Sequence, residues 1–462
     1  MSLFNKMKNL INKYKETSSD ENFEKVDGNV PILKSVPIGL QHLFAMFIGN
    51  LTPLLIVLGF VELDYASKQQ LIQNGIFIAS LASLIQLLPI WKIGSKLPLL
   101  SGMGFSFIGV SVLIVTEYSY GSLIGAVIIG GIFTFLLAFT AKYWLKFFPP
   151  IVSGCFIFGL GLSLIKTGVI SFAGGESLMN ELSPKYEFGS WQILLISSIC
   201  LISTIVLDLV LKGFWKNLSI LFSLLIGYLL SLCFKGMVDF SNFNNLTVFS
   251  LPKFTDFSSL KFELSTIIPV VIMYLVVVTE AIGATTIVTE DAYQRKPDIK
   301  EVEGTISGVG LVSFISGTLG CLPVVPFTSS AGIVIQTKAR NRIPLIIGMV
   351  CLLIISLMPP LAALIQTIPE HVLGSCTLMI FISIAVSGMQ LIAKQGFNKR
   401  NTIILSLSLA LGYGISLVPE LLVRIFNSTN NIGYLLFSNS VSSMFIFAFL
   451  LNLILPKSLE NK

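Results

Sequence analysis

The stretch Leu322–Gly332, LPVVPFTSSAG, decides how the rest of this chain is interpreted. It lies among apolar stretches long enough to cross a bilayer. Yet it holds two prolines, three hydroxyl residues and one glycine, a composition that suits a membrane helix badly. Irregular backbone at membrane depth is tolerated only where protein buries it or where it lines a water-filled cavity. We therefore expect this stretch to form a segment of an internal site.

Composition places the chain in a membrane. Of its 462 residues, 54% are hydrophobic and 12% are charged, with a mean hydropathy of +0.85. A soluble domain carries about 25% charged residues, so many membrane spans are predicted. The net charge of +6 does not indicate nucleic-acid binding, because the basic residues lie in short loops and at the termini. The six cysteines are scattered and there are two histidines, so neither a metal site nor a cofactor is expected.

The apolar segments predict fourteen spans, since a helix needs about 20 apolar residues to cross the bilayer. The convincing segments lie at 37–60, 71–91, 122–141, 148–166, 191–211, 217–234, 264–288, 343–365, 370–393, 401–418 and 432–455. Weaker segments lie at 98–117, 304–320 and 323–336. The Lys and Arg residues alternate from loop to loop only if the weak segments are counted as crossings. On this count both termini are cytoplasmic, and residues 1–36 form a Lys-rich cytoplasmic tail with no apolar signal core.

Two motifs recur and suggest a duplicated half. LPLLSGMGFSFIG begins at Leu97, and the similar LPVVPFTSSAGIV begins at Leu322. The pattern P-x-x-V-x-G begins at Pro149 and again at Pro369, so the two pairs of motifs are separated by nearly the same number of residues. Seven spans per half is an odd number, so the two halves are expected to lie inverted in the membrane. Inverted repeats with interrupted spans in matching places are typical of secondary transporters.

Glu280 lies deep inside the apolar segment VVIMYLVVVTEAIGATTIV. An ionisable group there costs several kcal/mol, so it predicts a functional site. The alternative is a carboxyl satisfied by neighbouring hydroxyls such as that of Thr279. Gln41 and His42 open an earlier span, where a structural hydrogen-bonding role is the simpler interpretation.

At these residues the chain resembles the nucleobase–ascorbate transporters, or nucleobase:cation symporters, over about residues 30–455. The matching motifs are QHLFAMF, SGMGFSF, VTEAIGATT and PFTSSAGIVIQTKARNR. The stretch EVEGTISGVGLVSFISG with the following CLP resembles the bacterial xanthine and urate permease branch.

The resemblance implies an all-α polytopic fold of fourteen segments in two inverted repeats of seven, with short antiparallel strands in segments 3 and 10. After the tail, it implies a core domain built from residues 37–145 (segments 1–4) and 264–366 (segments 8–11). It implies a gate domain built from residues 146–236 (segments 5–7) and 367–456 (segments 12–14). It also implies a homodimer through the gate domain.

The resemblance assigns roles by position. Glu280 binds ring N–H groups of the base, and Phe105 stacks on its face. The other assignments are Phe327 and Thr328 in the strand before the signature, Ser329 and Ser330 at the signature pair, Gly49 under the ring, and Gln41 and His42 bracing the core. A flat base edged by N–H and C=O groups needs an aromatic platform and a few placed polar partners, so these roles are chemically sensible.

The chain departs from the family pattern at several positions. The signature Gln/Glu-Asn pair is Ser329–Ser330, and Ala284 and Val309 stand where relatives carry ionisable residues. We expect a transporter and not an enzyme, one that imports a purine such as xanthine or urate, or uracil, by proton symport across the plasma membrane. The alternatives are a different planar or anionic solute, or sodium coupling through Thr279, Thr285 and Thr286.

Overall fold

The computed structural model describes most of the chain. The described residues are 17–61, 63–144, 149–180, 186–212, 215–238, 240, 247–327, 330, 332, 334, 339–429, 431–456 and 458–459. The predicted site residues Thr328 and Ser329 lie outside them.

Helices dominate the structure. They are α1 (Ile32–Gly59), α2 (Tyr65–Leu87), α3 (Ile108–Glu117), α4 (Tyr120–Ala138), α5 (Pro150–Phe172), α6 (Trp191–Val210), α7 (Ser219–Leu232), α8 (Leu264–Ile287), α9 (Ile299–Thr318), α10 (Arg342–Ser356), α11 (Pro359–Gln366), α12 (Glu370–Gln395), α13 (Lys399–Leu407), α14 (Pro419–Phe426), α15 (Ile432–Ser438) and α16 (Ser440–Ile454). Shorter helical turns lie at Asp20–Glu24, Phe105–Phe107, Ala141–Trp144, Glu176–Asn180, Lys216–Leu218, Phe257–Ser259, Val288–Ala292, Ser408–Tyr413 and Gly414–Ser416. The strands are β1 (Ser101–Met103) and β2 (Val324–Pro326).

Several of these helices can cross a membrane. Among the described residues, 7 helices are long and apolar enough to span, or up to 10 if each bent helix pair is one span. Helices of 10–17 residues at Phe105–Glu117 and Ser219–Leu232 are also apolar. The chain is therefore a multi-pass membrane protein.

Two segments predicted as single spans are broken in the structure. Between α10 and α11 the chain turns by 87°, and between α15 and α16 it turns by 92°. Met358 precedes two prolines and is extended, as a residue before proline prefers. Asn439 is also extended, and its side chain accepts from the backbone N–H groups of Val441 and Ser442, so it starts a new helix. The predicted spans at 343–365 and 432–455 are therefore bent helix pairs, each of which can count as one span.

The helices pack in two groups. Neighbouring helices of the first group cross at glycines. In one group α4 lies along α9 and α8, and α10 lies along α1 and α2; in the other α5 lies along α12 and α16. A Cβ on Gly131 of α4 would lie 2.5 Å from the backbone nitrogen of Phe314 in α9. A Cβ on Gly348 of α10 would lie 2.3 Å from the carbonyl oxygen of Gly39 in α1. Close approach through small residues is the usual way that helices associate within lipid.

The chain just before α1 is tied to the rest of the molecule. The Asp27 carboxylate lies 2.7 Å from the Lys96 ammonium and 2.8 Å from Nε of Arg342. The Asn341 side chain donates to the carbonyl oxygens of Asn22 and Gly28, at 3.0 Å each. The segment 19–29 therefore joins the loop between α2 and β1 to the start of α10.

Candidate functional site

Glu280 lies on a face of α8 that is only partly packed. Its neighbours Thr279 and Ala281 are buried, whereas Glu280 and Gly283 are partly exposed. Among the described residues, nothing beyond the adjacent backbone lies within 4 Å of the position where a Cβ on Gly283 would stand. The helix therefore presents a carboxylate and, one turn further on, an open backbone surface to the same space.

Ser106 holds the carboxylate in place. Its hydroxyl donates to Oε2 of Glu280 over 2.8 Å. Ser106 is buried in the helical turn between β1 and α3, next to Phe105. Hydrogen bonds to charged groups are worth about 1.5–3 kcal/mol, so this contact fixes the carboxylate relative to the aromatic ring. Ser106 was not among the predicted site residues, although its place in SGMGFSF, beside Phe105, was a signal.

The two strands pair antiparallel in the middle of the molecule. The register places Ser101 opposite Pro326, Gly102 opposite Val325 and Met103 opposite Val324. At one end the Phe327 N–H donates to the Leu100 carbonyl over 2.9 Å, and at the other the Gly104 N–H donates to the Pro323 carbonyl over 2.9 Å. A strand from the other half of the chain thus satisfies the polar backbone of LPVVPF, which explains how so poor a helix former is kept inside the protein.

Each strand leads into one of the predicted aromatic residues. Phe105 follows β1, Phe327 follows β2, and each residue is 7% exposed. The strand pair therefore fixes both rings to one rigid element, although the two residues are far apart in sequence.

Ser330 joins the same two strands. Its hydroxyl donates to the Phe327 carbonyl over 2.8 Å and accepts from the Leu100 N–H over 3.2 Å. The side chain is fully buried. Both of these hydrogen bonds are made within the protein, and the predicted contact of Ser330 with the substrate stays a prediction.

Gly49 and Asn50 bring α1 to the strands. Gly49 has open space beside it, since no described residue beyond the adjacent backbone lies within 4 Å of an added Cβ. Oδ1 of Asn50 occupies the place where a Cβ on Gly102 would stand, 1.5 Å away, and the Phe327 ring lies 2.7 Å from the same point. Only glycine at position 102 allows the amide and the ring to approach β1 together. Asn50 was not predicted as a site residue, although an Asn within an apolar span was a signal.

Gln41 and His42 lie about two turns before Gly49 on the same helix, and both are buried. Nε2 of Gln41 and both ring nitrogens of His42 have no hydrogen-bond partner among the described residues. Their predicted role in bracing the core stays a prediction.

The threonines proposed for sodium each donate a hydroxyl hydrogen bond to a backbone carbonyl of α8. Thr279 donates to the Val276 carbonyl, Thr285 to that of Ala281 and Thr286 to that of Ile282, at 2.7–2.8 Å. Their hydroxyls therefore follow the backbone of α8. Ala284 and Val309 are buried in the packing of the helices.

A multi-pass membrane protein with a carboxylate beside paired, interrupted segments has the design of a membrane transporter. The comparisons make this specific. The chain belongs to the permease family whose model, Xan_ur_permease, matches residues 33–421.

Relatives with known names lie in the same family. The chain is 30% identical to the xanthine permease XanQ of Escherichia coli strain K12 over 450 residues, covering 95% of this chain and 94% of XanQ. It is 30% identical to the uric acid permease PucJ of Bacillus subtilis strain 168 over 389 residues, covering 84% and 85%. Among solved structures, the transmembrane domain of the cyanobacterial bicarbonate transporter BicA superposes with a TM-score of 0.55 at 16% identity, over 78% of this chain and 93% of that domain. This last likeness concerns the fold alone.

Proposed function

We propose that the protein is a secondary active transporter that imports a nucleobase, with a purine such as xanthine or urate favoured over uracil. The observation that carries the proposal is Glu280, a carboxylate fixed by Ser106 at an opening beside Gly283. A carboxylate is an acceptor for the paired N–H groups on the edge of a base, and Phe105 supplies an aromatic face next to it. The names of XanQ and PucJ support a purine.

Uptake of labelled bases tests this function directly. Cells lacking their own base permeases and expressing the chain should accumulate one or more of xanthine, urate, uracil, guanine and adenine. The Glu280→Gln variant, made in equal amount, should not accumulate that base against a gradient. If no base is accumulated by the parent protein at confirmed expression, the proposal is wrong.

The proposed architecture is fourteen segments in two inverted repeats. Packing supports it, because the helix contacts come in equivalent pairs. In each pair, every segment of one half is replaced by the segment seven places away in the other half. Segment 4 lies along segment 9 as α4 on α9, and segment 11 lies along segment 2 as α10 on α2. Likewise α4 contacts α8, and α10 contacts α1. The strands β1 and β2 would then begin the two interrupted segments.

The core and gate domains belong to the same proposal. The first packing group, α1, α2, α4 and α8–α10, corresponds to the core, and the second, α5–α7 with α12–α16, corresponds to the gate. Glu280, the strands and both predicted aromatic residues lie in the core group. Import by alternating access would move this group against the gate, which we expect to form the homodimer contact in the plasma membrane.

Proton coupling is proposed through the same carboxylate. Glu280 can take up a proton as the base binds or leaves, and Glu280→Gln removes that capacity while keeping the shape. We expect the Gln variant to exchange base across the membrane but to lose accumulation driven by a pH gradient. Accumulation that requires sodium in the parent would contradict proton coupling and favour the threonine alternative.

A different planar or anionic solute is the second candidate, on the observation that Ser329–Ser330 replaces the signature pair. The two candidates differ in competition. If a base is the substrate, bicarbonate or sulfate in excess should leave its uptake unchanged. Uptake of such an anion by cells that express the parent protein, but not by vector-only cells, would favour the second candidate.

A further inference from the structure

A cavity whose lining does not include Glu280 lies in the cleft between the two packing groups. It holds about 530 Å³ of space, some of it open to the surroundings. Its lining includes Thr52 of α1, Thr167 and Ile170 of α5, and Glu370 and Thr377 of α12. Polar oxygens and apolar side chains therefore share this cleft.

The helices that line the cavity lead inward from it. On α1, Gly49 lies three residues before Thr52, and on α12, Phe381 lies four residues after Thr377. Residues three and four apart share one face of a helix. Gly49 and Phe381 therefore lie on the same helix faces as the residues that line the cavity.

Phe381 lies next to the predicted base platform. Its ring is fully buried, and its centroid is 5.5 Å from that of Phe105, with the two planes at 79°. On the α5 side, a Cβ on Gly168 would lie 3.0 Å from Cδ2 of Phe381. Glycine at position 168 thus lets the ring rest close to the α5 backbone while it contacts Phe105 of the other group.

We propose that Phe381 is the residue that closes the Glu280 site from this cavity. This proposal rests on the proposed function. The contact between Phe381 and Phe105 must open before a base in the cavity can reach the carboxylate. Phe381 also borders the aromatic platform, so its size limits the bases that fit. Edge-to-face aromatic pairs are weak enough that thermal motion opens them readily.

Cysteine accessibility tests the closure without any assumption about the substrate. Gly49→Cys serves as the reporter, because the space beside it accepts a side chain. Thr167→Cys, in the cavity wall, shows from which side of the membrane the cavity is reached. Both are made in a background without native cysteines and treated with an impermeant thiol reagent, in intact cells and in inside-out vesicles.

Adding Phe381→Ala should raise the labelling rate of the Gly49→Cys reporter by about twofold to tenfold. We expect this rise when the reagent is added on the side of the membrane from which the Thr167→Cys protein is labelled. From the opposite side the rate should not change. Phe156→Ala is the matched control, since Phe156 is also a fully buried ring, on α5. If the Ala variant fails to reach the membrane, Phe381→Leu replaces it, with a rise in the same direction expected because the ring edge is lost.

The outcomes separate this inference from the proposed function. An unchanged labelling rate in the Phe381 variant, or an equal rise in Phe156→Ala, overturns the closure. A rise specific to Phe381 supports it even if no base is transported, in which case the proposed function fails on its own test.

Discussion

At the scale of single residues, the site depends on how polar groups are satisfied inside an apolar protein. Glu280 is held by Ser106, and Ser330 satisfies two backbone groups of neighbouring strands. Asn50 instead leaves its Oδ1 without a partner among the described residues. A buried acceptor without a partner costs about 1–3 kcal/mol, so Asn50 is a candidate for direct contact with a bound N–H group.

Ser106→Ala should weaken base affinity by about tenfold, because losing a hydrogen bond to a carboxylate costs about 1.5 kcal/mol or more. Competition against uptake of the labelled base measures the change. Ser111→Ala is the control, since the buried Ser111 hydroxyl has no partner among the described residues and its loss should leave affinity unchanged. Equal effects of both substitutions would show that Ser106 does not act through Glu280.

Ser330 and Ser329 should respond differently to removal of their hydroxyls. Ser330→Ala leaves the Leu100 N–H without its partner, so we expect a loss of stability of about 1–3 kcal/mol, measured by thermal unfolding in detergent. Ser329→Ala should instead lower base affinity by about tenfold, if its hydroxyl contacts the base. Should Ser329→Ala leave both the affinity and the order of competing bases unaltered, its role in selecting the solute is excluded.

At the scale of elements, helix crossings depend on glycines at particular contacts. On α9, a Cβ on Gly310 would lie 2.3 Å from the backbone nitrogen of Phe135 on α4. A backbone atom cannot rotate away as a side chain can, so any larger residue pushes the two helices apart. The same helices carry the packing that supports α8 and hence Glu280.

Gly310→Ala should therefore destabilise the protein by about 1–3 kcal/mol, the usual cost of overpacking. Gly283→Ala, on α8, is the matched control, since open space surrounds that position. It should be neutral or stabilising, because alanine favours a helix by about 1 kcal/mol over glycine. Monodispersity after heating in detergent ranks the two variants, and the reverse order would contradict the packing of α4 on α9.

At the scale of the whole molecule, a short segment before α1 connects both halves of the chain. Burial alone raises the pKa of Asp27, but hydrogen bonds and charge from Lys96 and Arg342 outweigh it and hold the pKa below its ordinary value. A carboxyl with a lowered pKa stabilises the fold above its unfolded pKa, and this contribution is lost as the pH falls through the folded value. At neutral pH the contribution is complete.

Asp27→Asn should lower stability at pH 7 by about 1 kcal/mol or less, because the carboxylate is half exposed and screened. As the pH falls below about 4 and through the lowered folded pKa, the difference from the parent should shrink, since the parent carboxyl becomes protonated there. Asp20→Asn is the control, since Asp20 pairs with Lys34 and not with Lys96 or Arg342. A difference that persists unchanged at low pH would assign the effect to lost packing.

The proposed topology predicts which loops face the cytoplasm. Lys296→Cys, exposed between α8 and α9, should resist impermeant thiol reagents added to intact cells, in a background without native cysteines. Lys253→Cys, exposed in the loop before α8, should react under the same conditions. Ready labelling at position 296 from outside would rule out the fourteen-segment topology.

The sequence by itself determined the membrane class, the family and the position of the acidic residue. These follow from local facts: apolar length, loop charge and ordered motifs such as VTEAIGATT. Tertiary structure alone decided the rest, because it depends on which distant groups meet. Ser330 bonds to Leu100, Asn50 fits against Gly102, and Phe381 contacts Phe105 across the helix groups. Hydrogen bonds and close packing require atoms within a few ångströms, and a one-dimensional pattern does not fix such distances between residues so far apart in the chain.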